Sequence, residues 1–253
     1  MLALAAPAAA LDFHYADRFD PGERDRLEAW VIETAAALAD LVGEFPFPVQ
    51  VTFHRRDGAS EPVPWAHTRR GRAQGVDLHV DPGYPQQDFR RDWTAPHELA
   101  HLVLPYLGRR HAWFAEGFAS YLQYPVMVQM GVMSPAAADA AYRARIDRAR
   151  SDFGNLPQPF AAAAPQLRAE GRYPTLYWGG AAYFIEADAR LRDAGHPGLV
   201  ALLADYLGCC RQPRATPRSL ADTLDRLSAS TAFSDLLDAF ETQPGFPDSR
   251  AAD

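Results

Sequence analysis

Two short runs, HELAH (His97–His101) and WFAEGFASY (Trp113–Tyr121), with fourteen residues between His101 and Glu116, decide how this chain reads. On a helix His97 and His101 sit four residues apart and face one way, so both imidazoles reach one metal ion. Glu98 lies beside them, placed to take a proton from a water that the ion acidifies. Glu116 offers a third ligand from a second helix. Two neutral imidazoles, one carboxylate and an open fourth position describe a catalytic Zn2+ site rather than a closed structural one.

The flanking residues set the two helices. Pro96 is tolerated only in a first helical turn, so the spacing predicts a helix over 95–104 with Thr94 as N-cap, stopped by Pro105. Gly108 to His111 read as the turn into a Glu116 helix that runs to about Met130. Upstream, Asp20 as N-cap and Pro21 at the first helical position open a helix to about Val42, with Trp30, Ala37, Leu38 and Leu41 on one face. Val49 to Phe53 alternates as a half-buried strand, and residues 55–74, rich in proline, arginine and glycine, read as a loop. Gly75 to Val80 reads as a second strand, expected to be the sheet edge along which an extended peptide lies. Downstream the pattern is helical over 135–150, 175–194, 198–207, 217–229 and 232–241, with a proline-rich loop over 156–165.

This gives an α+β fold class. The expected organisation is a possible truncated signal segment over 1–10, a sheet lobe with both metal helices over 11–130, a helical lobe over 131–243 and a frayed tail over 244–253. The apolar start Leu2 to Ala10, with Ala8 and Ala10 matching a cleavage pattern, suggests export to the periplasm or medium. No later apolar run approaches the ~20 residues of a membrane helix. A net charge of −7 disfavours nucleic acid or an anionic membrane as partner. All 25 basic side chains are arginine. The two cysteines, Cys209 and Cys210, are adjacent, and two free thiols are expected in preference to a strained vicinal disulfide.

These residues resemble the gluzincins, in which HExxH and a downstream glutamate hold the metal. The nearer likeness is to the peptidase-MA-like and glycyl-aminopeptidase-like families, whose second motif, W-x-x-E-G-x-A-x-Y, is met by Trp113, Glu116, Gly117, Ala119 and Tyr121. The likeness is convincing over residues 92–125 and weaker to about 230. It implies a zincin-like catalytic domain and one Zn2+ held by His97, His101 and Glu116. It also implies Glu98 as general base and acid, and a peptide or protein as substrate. A tyrosine that stabilises the oxyanion would be Tyr177 in Tyr177-Trp178-Gly179-Gly180, where glycine stands in place of the family's lysine; Tyr173 is the reserve. Tyr177 also reads as a core tyrosine on a helix packed through Gly179, Gly180, Ala181 and Ala182. The spacing between His101 and Glu116 is shorter than in the best-known aminopeptidases and thermolysin-like enzymes. The accessory modules of larger glycyl aminopeptidases do not fit this length.

Competing schemes fit less well. A metzincin requires HExxHxxGxxH, but Leu104 and Leu107 occupy the glycine and histidine positions. His111 is the rival third ligand, read otherwise as a turn residue. Ser120, one turn beyond Glu116, is a candidate partner for a ligand or a plain helix-face serine. Aminopeptidases of this kind hold the substrate ammonium with glutamate, yet Gly71 to Asp81 contains none; Asp77 and Asp81 are the stand-ins, or simply a strand-face and a turn residue. A catalytically inactive, zinc-stabilised binding module of the same fold is the alternative to an active zinc metallopeptidase, and intact Glu98 speaks for the enzyme.

Overall fold

The computed structural model describes residues 10–247; the candidate signal segment falls outside them over 1–9, as does the tail over 248–253. Strand β1 (Leu11–Tyr15) leads into helix α1 (Pro21–Val42), then come β2 (Val49–Arg55), β3 (Trp65–Arg69) and β4 (Gln74–Val80). Helix α1 begins and ends as its sequence predicts, and Glu23 closes its first turn by accepting from the Asp20 amide at 2.8 Å. The four strands lie in the order β1-β2-β4-β3, the first three parallel and β3 antiparallel to β4.

That order corrects two expectations. Gln74–Val80 is an interior strand, buried along nearly its whole length, and not the sheet edge. The edge next to it is β3, from within the segment read as loop. The prolines and arginines around it hide its weak alternation, and pairing with β4 supplies the hydrogen bonds that local propensity does not. β1 likewise gains its order from β2.

A short helix α2 (Gln86–Arg91) separates the sheet from α3 (Thr94–His101). α3 is shorter than the predicted 95–104 and starts one residue earlier, with Trp93 as N-cap and the Asp92 carboxylate accepting from the Thr94 amide at 2.8 Å. Beyond His101 the turn tightens, with the amides of Leu102 and Val103 bonding Leu99 and Ala100, and arginine side chains take the carbonyls left free before Pro105. A 3-10 turn (Arg109–His111) leads into α4 (Ala112–Gln129). Pro125 lies inside α4 and removes the amide that would bond the Tyr121 carbonyl; the Tyr142 hydroxyl donates there instead.

The remainder is helical: α5 (Pro135–Phe153), α6 (Phe160–Ala169), α7 (Tyr173–Asp193), α8 (Leu199–Cys209), α9 (Pro217–Ser228) and α10 (Ala232–Thr242). Helix α6 occupies part of the expected proline-rich loop. Burial of Phe160, Ala163, Ala164 and Leu167 outweighs the single hydrogen bond that Pro165 forfeits. The expected frayed tail is ordered at its start. Gly245 donates to the Gln158 carbonyl at 3.2 Å, and Phe246 packs 5.7 Å from the rings of Phe153 and Phe160. Cys209 and Cys210 form a disulfide rather than the two thiols expected. They fall where α8 ends and Cys210 has already left helical geometry, which frees the adjacent sulfurs to meet.

One apolar core runs from the inner face of the sheet through α1, α3 and α4 to α7 and α10. Its tightest crossing joins α4 and α7 at Gly117 and Gly180. A Cβ on Gly180 would lie 2.0 Å from the Trp113 carbonyl oxygen, and one on Gly117 would lie 2.2 Å from the Gly180 carbonyl carbon. Gly180→Ala is therefore expected to cost about 1–3 kcal/mol of unfolding free energy, read by urea denaturation. Gly22→Ala, where an added methyl meets no atom within 4 Å, should leave stability equal or slightly raised in the same experiment.

Candidate metal centre and cleft

Helix α3 carries His97 and His101 on its buried side, their rings 4.8 Å apart, and α4 crosses it to bring Glu116 against both. Glu116 Oε2 lies 3.2 Å from His97 Nε2 and 3.3 Å from His101 Nε2. The three potential donor atoms all lie within 4.8 Å of one another, and among the described residues this is the one cluster of histidine, cysteine or carboxylate donors with that property. His97 Nδ1 donates to Gln123 Oε1 at 3.0 Å. With Nδ1 engaged by Gln123, Nε2 faces the Glu116 carboxylate, and either a proton or a cation between them satisfies that pairing. The donor set thus fits a divalent cation, with borderline-soft imidazoles favouring zinc.

The electrostatics carry the same message. Burial alone would raise the Glu116 carboxyl, but the charges and hydrogen bonds of His101 and His97 outweigh it and hold Glu116 well below the usual carboxylate range. Burial works against a charged His97, while the Glu116 carboxylate more than compensates and raises it.

Glu98 faces the same space from the next position of α3. The Thr68 hydroxyl, on edge strand β3, donates to it, lying 2.7 Å from Oε2 and 2.8 Å from the Glu98 carbonyl oxygen. Tyr177 projects from α7, its ring 5.9 Å from that of His97. Burial, then the Glu116 and Glu98 carboxylates, push its hydroxyl well above the ordinary phenol value. Tyr173, one turn earlier, is 47% exposed, with its ring 6.2 Å from Tyr177.

These groups border a cleft of about 700 Å3 between β3 on one side and α6 and α7 on the other. Thr68, Glu98, His101, Glu116, Tyr173 and Tyr177 all line it. His111 does not join them: its Nε2 accepts from Arg110 at 3.0 Å on the 3-10 turn. Ser120 is buried in α4 and lines a neighbouring cavity; the residue that meets His97 is Gln123, seven residues beyond Glu116 and on the same helical face. Asp77 belongs to the outer sheet face, 3.1 Å from His67 and 3.2 Å from Arg69. Asp81 accepts from the amides of Ala59 at 3.0 Å and Gly83 at 2.9 Å, as a turn residue does.

Two arginines that the sequence did not single out fix the end of α3. Arg70 donates to the carbonyls of His101 and, at 2.9 Å, Leu104. Arg211 donates to Leu102 and Val103 at 3.1 Å each and to Leu104 at 3.2 Å. Cations belong at a helix C-terminus, where carbonyls lack partners. Burial, with the neighbouring Arg211 charge, brings the Arg70 guanidinium down to about 10, still charged at neutral pH.

No family model matches the chain, and no curated protein is similar to it. Solved structures match it by fold. The M1 zinc metallopeptidase from Deinococcus radiodurans is 18% identical with a TM-score of 0.55, over 93% of this chain and 49% of that one. A mutant of that protein bound to a Tyr-Ser-Ala substrate gives 18% identity and a TM-score of 0.54, over 92% of this chain and 47% of that one. An aminopeptidase N family protein from Idiomarina loihiensis is 15% identical with a TM-score of 0.64, over 93% of this chain and 45% of that one. The fold is therefore the α+β fold of M1 zinc metallopeptidases, and the chain spans just under half the length of the solved structures it matches.

Because three backbone carbonyls rest on one guanidinium, Arg211→Ala is expected to cost about 2 kcal/mol of stability by urea denaturation. Amide exchange within α3 should quicken in the same variant; unchanged exchange there would mean that α3 holds its end without Arg211.

Proposed function

We propose that this protein is a zinc-dependent metallopeptidase in which His97, His101 and Glu116 hold one Zn2+ and Glu98 is the general base. The observation that carries the reading is the convergence of three donors within 4.8 Å beside a carboxylate that opens on a cleft. When bound, the ion supplies Lewis acidity, lowering the pKa of a water toward ~7 and polarising the scissile carbonyl. Glu98 takes the proton of the attacking water and returns it to the leaving amine. Thr68 steadies one of its oxygens during both transfers. Tyr177, kept protonated by burial and by the two carboxylates, donates to the developing oxyanion. Gln123 fixes the His97 tautomer from behind. The peptide lies extended along the open edge of β3, which has unpaired backbone groups to offer it. A module that kept the ion for stability alone would have no use for Glu98 at that place.

The charge pattern of the cleft bears on how the peptide enters. Its only lining carboxylates among the described residues are Glu98 and Glu116, and both already have roles. No other carboxylate lines it to receive a substrate ammonium, whereas Arg70, Arg109 and Arg168 do line it. The cleft therefore suits cleavage within a chain better than trimming of its N-terminus. No helix among the described residues is long and apolar enough to cross a membrane.

Four outcomes test the proposal. Glu98→Gln should keep the fold and the bound ion yet lose about 100- to 10,000-fold in kcat/KM on a peptide library, and a chelator should abolish wild-type turnover. Gln123→Leu should weaken zinc about 10- to 100-fold in competition with a chromophoric chelator, a readout independent of turnover. Acetylating the N-terminus of a good substrate should leave its cleavage rate unchanged; a steep loss would restore the aminopeptidase mode.

A further inference from the structure

Cys209 and Cys210 close their disulfide at the point where α8 gives way to the segment that steadies α3. Neighbouring residues of a helix point about 100° apart around its axis, so adjacent sulfurs meet only where one residue leaves helical geometry. Cys210 does so, at φ −131° and ψ −2°. The next residue, Arg211, turns inward. Its guanidinium donates to the carbonyls of Leu102, Val103 and Leu104 and, at 2.9 Å, to Gln74 Oε1 of β4. Two residues on, the Pro213 carbonyl accepts from the Tyr106 amide at 3.4 Å, and the Ala215 amide donates to the Tyr106 carbonyl at 3.3 Å. Residues 211–215 thus form a strap over the chain from the end of α3 to Tyr106, which borders the cleft. Cys209 is exposed and Cys210 is half-buried against the core, so a reagent reaches the bond from the Cys209 side.

We propose that the Cys209–Cys210 bond is a redox site whose state sets the grip of this strap on α3, with a small dithiol as the reductant. One thiolate of the dithiol attacks the exposed Cys209 sulfur and forms a mixed disulfide, while Cys210 leaves as a thiolate and takes up a proton. The second thiolate of the dithiol then attacks the reagent's own sulfur in that mixed disulfide, and Cys209 leaves and is protonated in turn. Two electrons and two protons pass to the protein, and the dithiol ends as a cyclic disulfide. With the bond open, Cys210 is free to take helical geometry, and α8 adds it to its last turn. That addition swings Arg211 by about 100° around the helix axis, off the Leu102–Leu104 carbonyls. Pro213 stops the extension, because the residue before a proline avoids the helical region. A link between neighbours closes too short a loop to restrict the unfolded chain much, so the effect of opening it lies in contacts of the folded state. This switch acts on α3 whether or not the protein cleaves peptides.

The test uses the full chain. Protein equilibrated with glutathione disulfide should take up no iodoacetamide, and after dithiothreitol it should take up two equivalents, one for each cysteine of the chain. The dithiol is then removed under argon and both states are brought to the same zinc content, because thiols bind that ion. Hydrogen exchange is followed by mass spectrometry over residues 99–107. The amides of Leu102, Val103 and Tyr106 should exchange about tenfold faster after reduction. Arg211→Ala should exchange fast in both states and ignore the dithiol. Cys209→Ser combined with Cys210→Ser should match the reduced protein with no dithiol present. Uptake of iodoacetamide by the oxidised protein, equal exchange in the two states, or a dithiol response that survives Arg211→Ala overturns the proposal.

Discussion

The backbone contact between α4 and α7 sets the geometry on which the rest depends. Gly117 and Gly180 leave no room for a Cβ on either helix, so the two backbones touch. Glu116 is the residue before Gly117, and Tyr177 lies one turn before Gly180. Close approach of the helices therefore brings a carboxylate and a phenol to the same opening. The seam and the position of Tyr177 are thus two consequences of one crossing: the small residues form the seam, and Tyr177 is carried to the rim of the cleft.

A second constraint is how α3 is held without being long. At eight residues it could not persist alone. Asp92 ties down its start, α4 covers its buried face, and Arg70 and Arg211 take up the carbonyls beyond its end. Arg211 follows directly on the Cys209–Cys210 pair, with its guanidinium 4.6 Å from the Phe47 ring centre, so the far end of the helical part reaches back to steady α3. Edge strand β3 closes the remaining side, contributing both Thr68 and Arg70's neighbourhood to one rim. The donor cluster is pinned from four directions by groups distant in sequence. Such support is what holds facing side chains in one geometry.

Much of this was legible beforehand, and the parts that were not share a cause. Helix α1 announces itself through Asp20, Pro21 and a regular apolar face; α7, α9 and α10 do so through similar periodicity. Where local signals conflict with burial, the reading failed. Proline marked residues 156–165 as loop, yet four buried apolar side chains make part of it α6. Arginine and proline concealed β3, whose order comes from its partner strand. Gln123 had a readable signal, its seven-residue offset from Glu116, whereas Thr68, Arg70 and Arg211 had none, because nothing local records which carbonyl or carboxylate a distant side chain will meet.

The sequence by itself determined the donor set, since four-residue spacing on a helix forces His97 and His101 to one side and places Glu98 beside them. It also determined that a second helix would offer Glu116 and that helices would dominate the chain after it. Tertiary structure alone decided which strand borders the cleft, which residue orients His97, what caps α3, and that Cys209 and Cys210 join. Helical and strand periodicities are local properties of the backbone, whereas strand order, helix crossing and long-range hydrogen bonds are fixed only when distant segments are buried together.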